Sequence, residues 1–172
     1  MSAKPYRSLS LAALGLALIL YGPVAAQSVK LASKFNDWSV FVEDGAAKTI
    51  CFVTSQPADV EPKGAKRGPI YLYVSAWPKD GVKAEISVKL GFPIKKASDV
   101  TVSIGTSAFK LFPKDERAFI ADPTEELKLL EAMKKGTKLT VAATSERGTA
   151  ITDTYSLAGI SQALQALATN CP

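Results

Sequence analysis

The sequence predicts a mainly β protein: an antiparallel β-sandwich-like domain of about nine short strands with two short helices, near residues 123–135 and 157–168. Three observations point there. Most of the chain after residue 26 alternates apolar with polar residues, or runs in short stretches rich in β-branched and aromatic residues. Turn-forming pairs and quartets built on Gly, Pro and Asp separate those stretches. Only two segments place their leucines at helical spacing.

The strands follow in order. Trp38 to Glu43 (WSVFVE) and Thr49 to Thr54 (TICFVT) flank Asp44-Gly45, a natural turn pair. Tyr71 to Trp77 (YLYVSAW) and Lys83 to Leu90 (KAEISVKL) read as a hairpin across Pro78-Lys79-Asp80-Gly81, where Pro suits the second turn position. Val100 to Ile104, Ala108 to Phe112 and Ala118 to Ala121 are three further short strands. Thr137 to Thr144 and Thr149 to Tyr155 form a second hairpin across Ser145-Glu146-Arg147-Gly148. The first helix opens at Asp122-Pro123-Thr124-Glu125, which resembles a capping box with Pro at the first helical position. Leu127, Leu130 and Met133 then share a face, and Lys134, Lys135 and a left-handed Gly136 suit its C-terminus. The second helix starts near Ser156, and Leu157, Ile160, Leu164 and Leu167 form the stripe that a helix buries against a sheet. Gln56 to Gly68 (QPADVEPKGAKRG) has no periodicity and reads as an exposed loop.

Residues 1–26 divide into the parts of a secretory leader: Lys4 and Arg7, an uncharged apolar run from Leu9 to Leu20, then Pro23-Val24-Ala25-Ala26. Cleavage is expected between Ala26 and Gln27. An uncleaved anchor would need roughly 20 apolar residues, and this run has about 12. No cysteine follows the apolar run to carry a lipid, and no later run is long enough to span a bilayer as a helix. The expected product is a single domain over 27–172, periplasmic or secreted. Loss of Lys4 and Arg7 takes the formal charge from +5 to +3, too mild and too scattered for a nucleic-acid binder.

The chain has no histidine. That removes Ser-His-Asp and Cys-His catalysis, imidazole metal ligands and the usual titrating group near neutrality. No metal or cofactor is expected. Among the carboxylates, Glu125 and Glu126 are adjacent on a helix start and diverge by about 100°. Asp37, Glu43 and Asp44 stand at strand ends, where turn chemistry explains them. The two cysteines, Cys51 and Cys171, read in an exported chain as one disulfide tying the last helix to an early strand. Lys63, Lys66 and Arg67 in the 56–68 loop are candidate contacts for an anionic partner, against the ordinary reading of a solvated loop. Trp38, Trp77, Tyr71 and Tyr73 are candidates for a sugar-binding face, against the ordinary reading of strand aromatics as core.

Four segments taken in order carry a resemblance. They are Phe35-Asn36-Asp37-Trp38, then Cys51-Phe52-Val53 with Gln56-Pro57, then Gly91-Phe92-Pro93-Ile94, and finally Thr154-Tyr155-Ser156-Leu157-Ala158-Gly159-Ile160. With that order and spacing the chain resembles the invasion-associated locus B family of alphaproteobacterial exported proteins. The resemblance implies an exported all-β protein of a family linked in some pathogens to entry into host cells, notably red blood cells. It supplies no catalytic residues. Many members carry further cysteines, one near the positions of Phe41 and Val42 and a close pair around Leu111 to Arg117, and this chain lacks all three. The Cys51–Cys171 bond is therefore expected from this chain's own cysteines alone. The function expected is non-enzymatic surface recognition in the envelope or at a host-cell interface. Its partner would be an envelope or host-surface protein or an anionic glycan. The alternative is a general envelope protein, structural or stress-related, with no host role.

Overall fold

The computed structural model describes residues 28–43 and 50–171; the expected leader and the Asp44-Gly45 turn lie outside them. The first half of the chain forms β1 (Val29–Phe35), β2 (Trp38–Glu43), β3 (Cys51–Ser55), β4 (Asp59–Glu61), β5 (Tyr71–Trp77) and β6 (Val82–Lys89). The second half forms β7 (Val100–Ile104), β8 (Ser107–Lys114), β9 (Arg117–Phe119), α1 (Pro123–Lys135), β10 (Lys138–Thr144), β11 (Ala150–Ser156) and α2 (Ile160–Asn170). The strands follow one hydrogen-bonded order, β1-β2-β3-β5-β6-β9-β8-β7-β10-β11-β4, with every pairing antiparallel. β8 is where one layer passes into the other. Its residues 107–111 pair with β7, and its residues 112–114 pair with β9.

The alternation read in the sequence becomes a two-faced sheet. Trp38, Val40, Cys51, Val53, Leu72, Val74, Ile86 and Val88 all point inward and are fully buried. They share one core with Val100, Val102, Leu139 and Val141 of the other layer. Both expected hairpins form, β5–β6 in register from Tyr71↔Lys89 to Trp77↔Val82, and β10–β11 from Lys138↔Ser156 to Thr144↔Ala150.

Four expectations need correction. There are eleven strands among the described residues, not nine, because β1 and β4 were not foreseen. β4 is a three-residue edge strand inside the 56–68 segment expected as a loop, paired with Thr152–Thr154 of β11. Its pairing comes from its neighbour, since three residues carry no pattern of their own. In α1 the buried residues are Leu129 and Met133, with Leu130 half-buried, while Leu127 is exposed. Gly136 ends that helix in an extended conformation, φ −82° and ψ 168°, not a left-handed one. Finally, α2 begins at Ile160 and not near Ser156. Ser156 is held in β11 opposite Lys138. The helix then starts from Gly159 at φ 91°, where a Cβ would stand 2.7 Å from the Phe35 carbonyl carbon.

α2 packs on β1, β2 and β3, and α1 on β6 and β8. Cys51 and Cys171 are disulfide-bonded, with Cα atoms 6.2 Å apart. The bond closes the end of α2 onto β3, as the cysteine placement implied.

Candidate functional site

The 56–68 segment and the Gly91–Ile94 segment meet in a cleft of about 650 Å³ at one end of the strands. Backbone hydrogen bonds build this junction. The Gly68 N–H donates to the Gly91 carbonyl at 2.8 Å, Ile94 N–H to Asp115 at 2.9 Å, and Glu146 N–H to Pro93 at 3.0 Å. Gly91, at φ 71°, must be glycine, because a Cβ would stand 2.7 Å from the Gly68 carbonyl carbon.

The three loop cations have different fates. Arg67 turns inward: its side chain is 6% exposed and its partner Asp153 is fully buried. Its Nη1 and Nη2 donate to the two Asp153 carboxylate oxygens at 2.6 Å each. Nε and Nη2 both donate to the Leu90 carbonyl at 3.0 and 2.8 Å, and the guanidinium lies 5.0 Å from the Phe92 ring centre. Arg67 is thus an internal bolt, which corrects its reading as a contact for a partner. Burial, then the Asp153 charge, push the neighbouring Tyr155 phenol far up, so it stays protonated. Lys63 is exposed and ion-paired with Asp59 and Glu61, and that hydrogen bond holds the Asp59 carboxyl below its ordinary range. Lys66 stays exposed at the cleft, near Arg147 from the β10–β11 turn. Glu116 and Glu146 also line it, one half-buried and one exposed. Among the described residues no group of His, Cys, Asp and Glu could hold a metal ion.

The aromatic candidates separate by face. Trp38 is core, fully buried, its indole N–H donating to the Ser156 carbonyl at 3.1 Å. Trp77 is half-buried at the end of β5. Tyr71 and Tyr73 lie on the opposite, outer face of the sheet, where the sequence alone did not collect their neighbours. Phe41 stacks on Phe52 at 5.2 Å, Phe52 meets Tyr73 edge-on at 5.8 Å, and Tyr73 lies 5.6 Å from Tyr71. Further across the sheet Phe119 stacks on Phe112 at 5.7 Å. None of these six rings belongs to the core or to the half-buried layer packed against it. Beside them runs a cationic row, since Lys89 pairs with Arg117 and Arg117 with Lys114 in adjacent strands. Arg117 lies 5.1 Å from the Tyr73 ring centre. Burial is the main cause raising the Tyr73 phenol, with Arg117 opposing it. The signal that could have found this surface is the outward parity of Phe41, Phe52, Tyr71 and Tyr73, opposite to Val40, Val53, Leu72 and Val74.

The family description "Invasion associated locus B (IalB) protein" matches residues 38–168, well over half of the chain. The chain belongs to this family. The crystal structure of invasion associated protein b from Bartonella henselae has the same fold as this family member. The two share a TM-score of 0.57 at 19% identity, over 81% of this chain and 97% of that one. No curated protein matches the chain.

The segments that carry the family resemblance are joints of the fold. Phe35–Trp38 is the β1–β2 turn with Asn36 at φ 50°, and Cys51 is in the disulfide. Gly91–Ile94 knits the cleft, and Thr154–Ile160 carries β11 into α2. Their residues serve packing and turning, and the outward aromatic rows are built mainly from other positions.

Proposed function

We propose that this member of the invasion associated locus B family is an exported, non-enzymatic protein that works by surface recognition, in the periplasm or envelope or at a host-cell interface. The observation that carries the reading is the outer face of the β2–β3–β5–β6–β9–β8 sheet. Six rings lie there apart from the core, beside cations that have no ion pair among the described residues. Cross-strand ring pairs help to hold the sheet, but rings left outside the core, with Phe112 46% exposed, also make the kind of surface at which partners dock. Export is supported by the disulfide, which persists in oxidising compartments, and by the leader. No helix among the described residues is long and apolar enough to cross a membrane.

Two features favour binding over catalysis. The cleft's buried charge, Arg67, has its donors engaged by Asp153 and Leu90. The remaining carboxylates there, Glu116 and Glu146, are not buried, whereas a general acid at neutral pH relies on burial to hold its proton.

The test is site-specific photo-crosslinking in the exporting cell and in contact with host cells. A crosslinker at Phe112, 46% exposed on this face, is compared with one at Leu127, exposed on α1. A discrete adduct at position 112 and none at 127 is expected. Equal labelling at both positions would instead favour the general structural or stress-related envelope role.

A further inference from the structure

We infer that the partner of the outer sheet face is an acidic polysaccharide, a chain of flat sugar rings carrying carboxylates or sulfates; this rests on the recognition reading above. The register of the strands supplies the geometry. Thr54, Tyr73, Ser87, Phe119 and Phe112 are successive partners across β3, β5, β6, β9 and β8, so they form one row perpendicular to the strands. At about 4.8 Å per strand that row is about 19 Å long. Thr54 and Ser87 are small and buried beside the rings, and Phe119 stacks on the more exposed Phe112 at the end of the row. Two residues further along the same strands, Lys89, Arg117 and Lys114 form a parallel row, about 7 Å away. The face is therefore an aromatic row, with Phe112 the most exposed ring, and a line of positive charge along one side. The cations border a hollow of about 400 Å³ that Asp115, Glu116 and Phe119 also line.

Each feature selects against another occupant. Insertion into a lipid surface needs apolar side chains that reach past the headgroups, and here all the rings but Phe112 are half-buried. A protein partner favours an interface centre depleted of lysine, whereas Lys89 pairs directly with Tyr71 and Lys114 continues the same row. A linear polymer with a ring and an anionic group in each repeat uses both rows at once. It packs its sugar rings along the aromatic row and places its charges on the cationic one.

The experiment measures binding of the mature protein to polygalacturonate and heparin, with neutral dextran as the control. Two variants of equal charge loss are compared: Lys114→Gln/Arg117→Gln on the face and Lys66→Gln/Arg147→Gln at the cleft. Phe112→Ser, at an exposed position, tests the stacking row without disturbing the core. The expected result is binding to both acidic polymers and none to dextran, weakened about tenfold or more between about 20 and 200 mM salt. The face variant and Phe112→Ser should each lower affinity about tenfold, with the cleft variant near wild type. Equal loss in the two charge variants would mean general attraction to polyanions and overturns the inference, as does equal binding to dextran. A concentration-dependent dimer abolished by Phe112→Ser overturns it in favour of a second copy. Absence of polymer binding overturns it as well. The crosslinking at position 112 then separates the cases: an adduct to a protein leaves the recognition reading standing, and no adduct ends both.

Discussion

Arg67 shows how little a residue's type says about its task. Its sequence neighbourhood, Lys63 to Gly68, looks like a solvated basic loop, yet its guanidinium makes four hydrogen bonds to Asp153 and Leu90. The cause is geometric: a planar fork fits a carboxylate edge and a backbone carbonyl at once, which an ammonium cannot. Asp153 is fully buried on β11, so removing its charge leaves a buried cation uncompensated. Asp153→Asn should lower the stability measured by urea unfolding by about 3–5 kcal/mol. Arg67→Lys should also destabilise the protein, because one ammonium cannot serve both Asp153 and Leu90. The double change Arg67→Met/Asp153→Leu should recover most of the loss, since an apolar pair removes the desolvation cost. Full loss in the double variant would show that the pair holds the 62–68 segment in a way packing cannot replace.

Among the elements, α1 is the one whose limits the sequence shows best. Asp122 accepts hydrogen bonds from Thr124 N–H at 2.7 Å and Glu125 N–H at 3.1 Å. The bonds from the Glu125 and Thr124 backbone hold its carboxyl below the ordinary range. A depressed folded-state pKa contributes stability that is present above the unfolded value and lost as pH falls through the folded one. Asp122→Ala should therefore lower the urea midpoint at neutral pH, and the gap to wild type should close as pH drops below about 4. A gap that stays constant down to low pH would mean that the cap acts through something other than its charge. Elsewhere in the same helix, Glu126 accepts from the Ile86 N–H at 2.6 Å, and partial burial raises its carboxyl despite that bond. β4 and α2 taught the opposite lesson. β4 exists because β11 offers it an edge, and α2 starts late because Ser156 is held in β11 and the chain then turns through a left-handed Gly159 packed on Phe35 before the helix begins.

For the whole molecule the disulfide is the main closure in sequence, joining residues 120 positions apart. A loop of that length constrains the unfolded chain strongly, worth about 4–5 kcal/mol in the chain-entropy account. Cys51→Ser and Cys171→Ser should each lower thermal stability by the same amount, and the double variant should cost no more than either, because one bond is lost in all three. A Cys51→Ser variant markedly worse than Cys171→Ser would point to lost packing at Cys51, which is fully buried in the core.

The chain by itself determined the strand periodicity from Trp38 onward, both hairpins, the start of α1 and the disulfide, because each follows from local pattern or from simple cysteine count. The family resemblance was legible for the same reason: its segments are turns and joints whose residues are dictated locally. The surface we assign to recognition was not legible. Tyr71 and Tyr73 stood out, but Phe41, Phe52, Phe112 and Phe119 come from other strands, with Lys89, Lys114 and Arg117 beside them. Only the register of six strands sets these residues in rows. The same holds for Arg67, whose inward turn depends on Asp153, 86 residues away. Side-chain parity along a strand is a property of sequence, whereas which strands lie side by side is settled by burying one shared core, and that tertiary choice created the face.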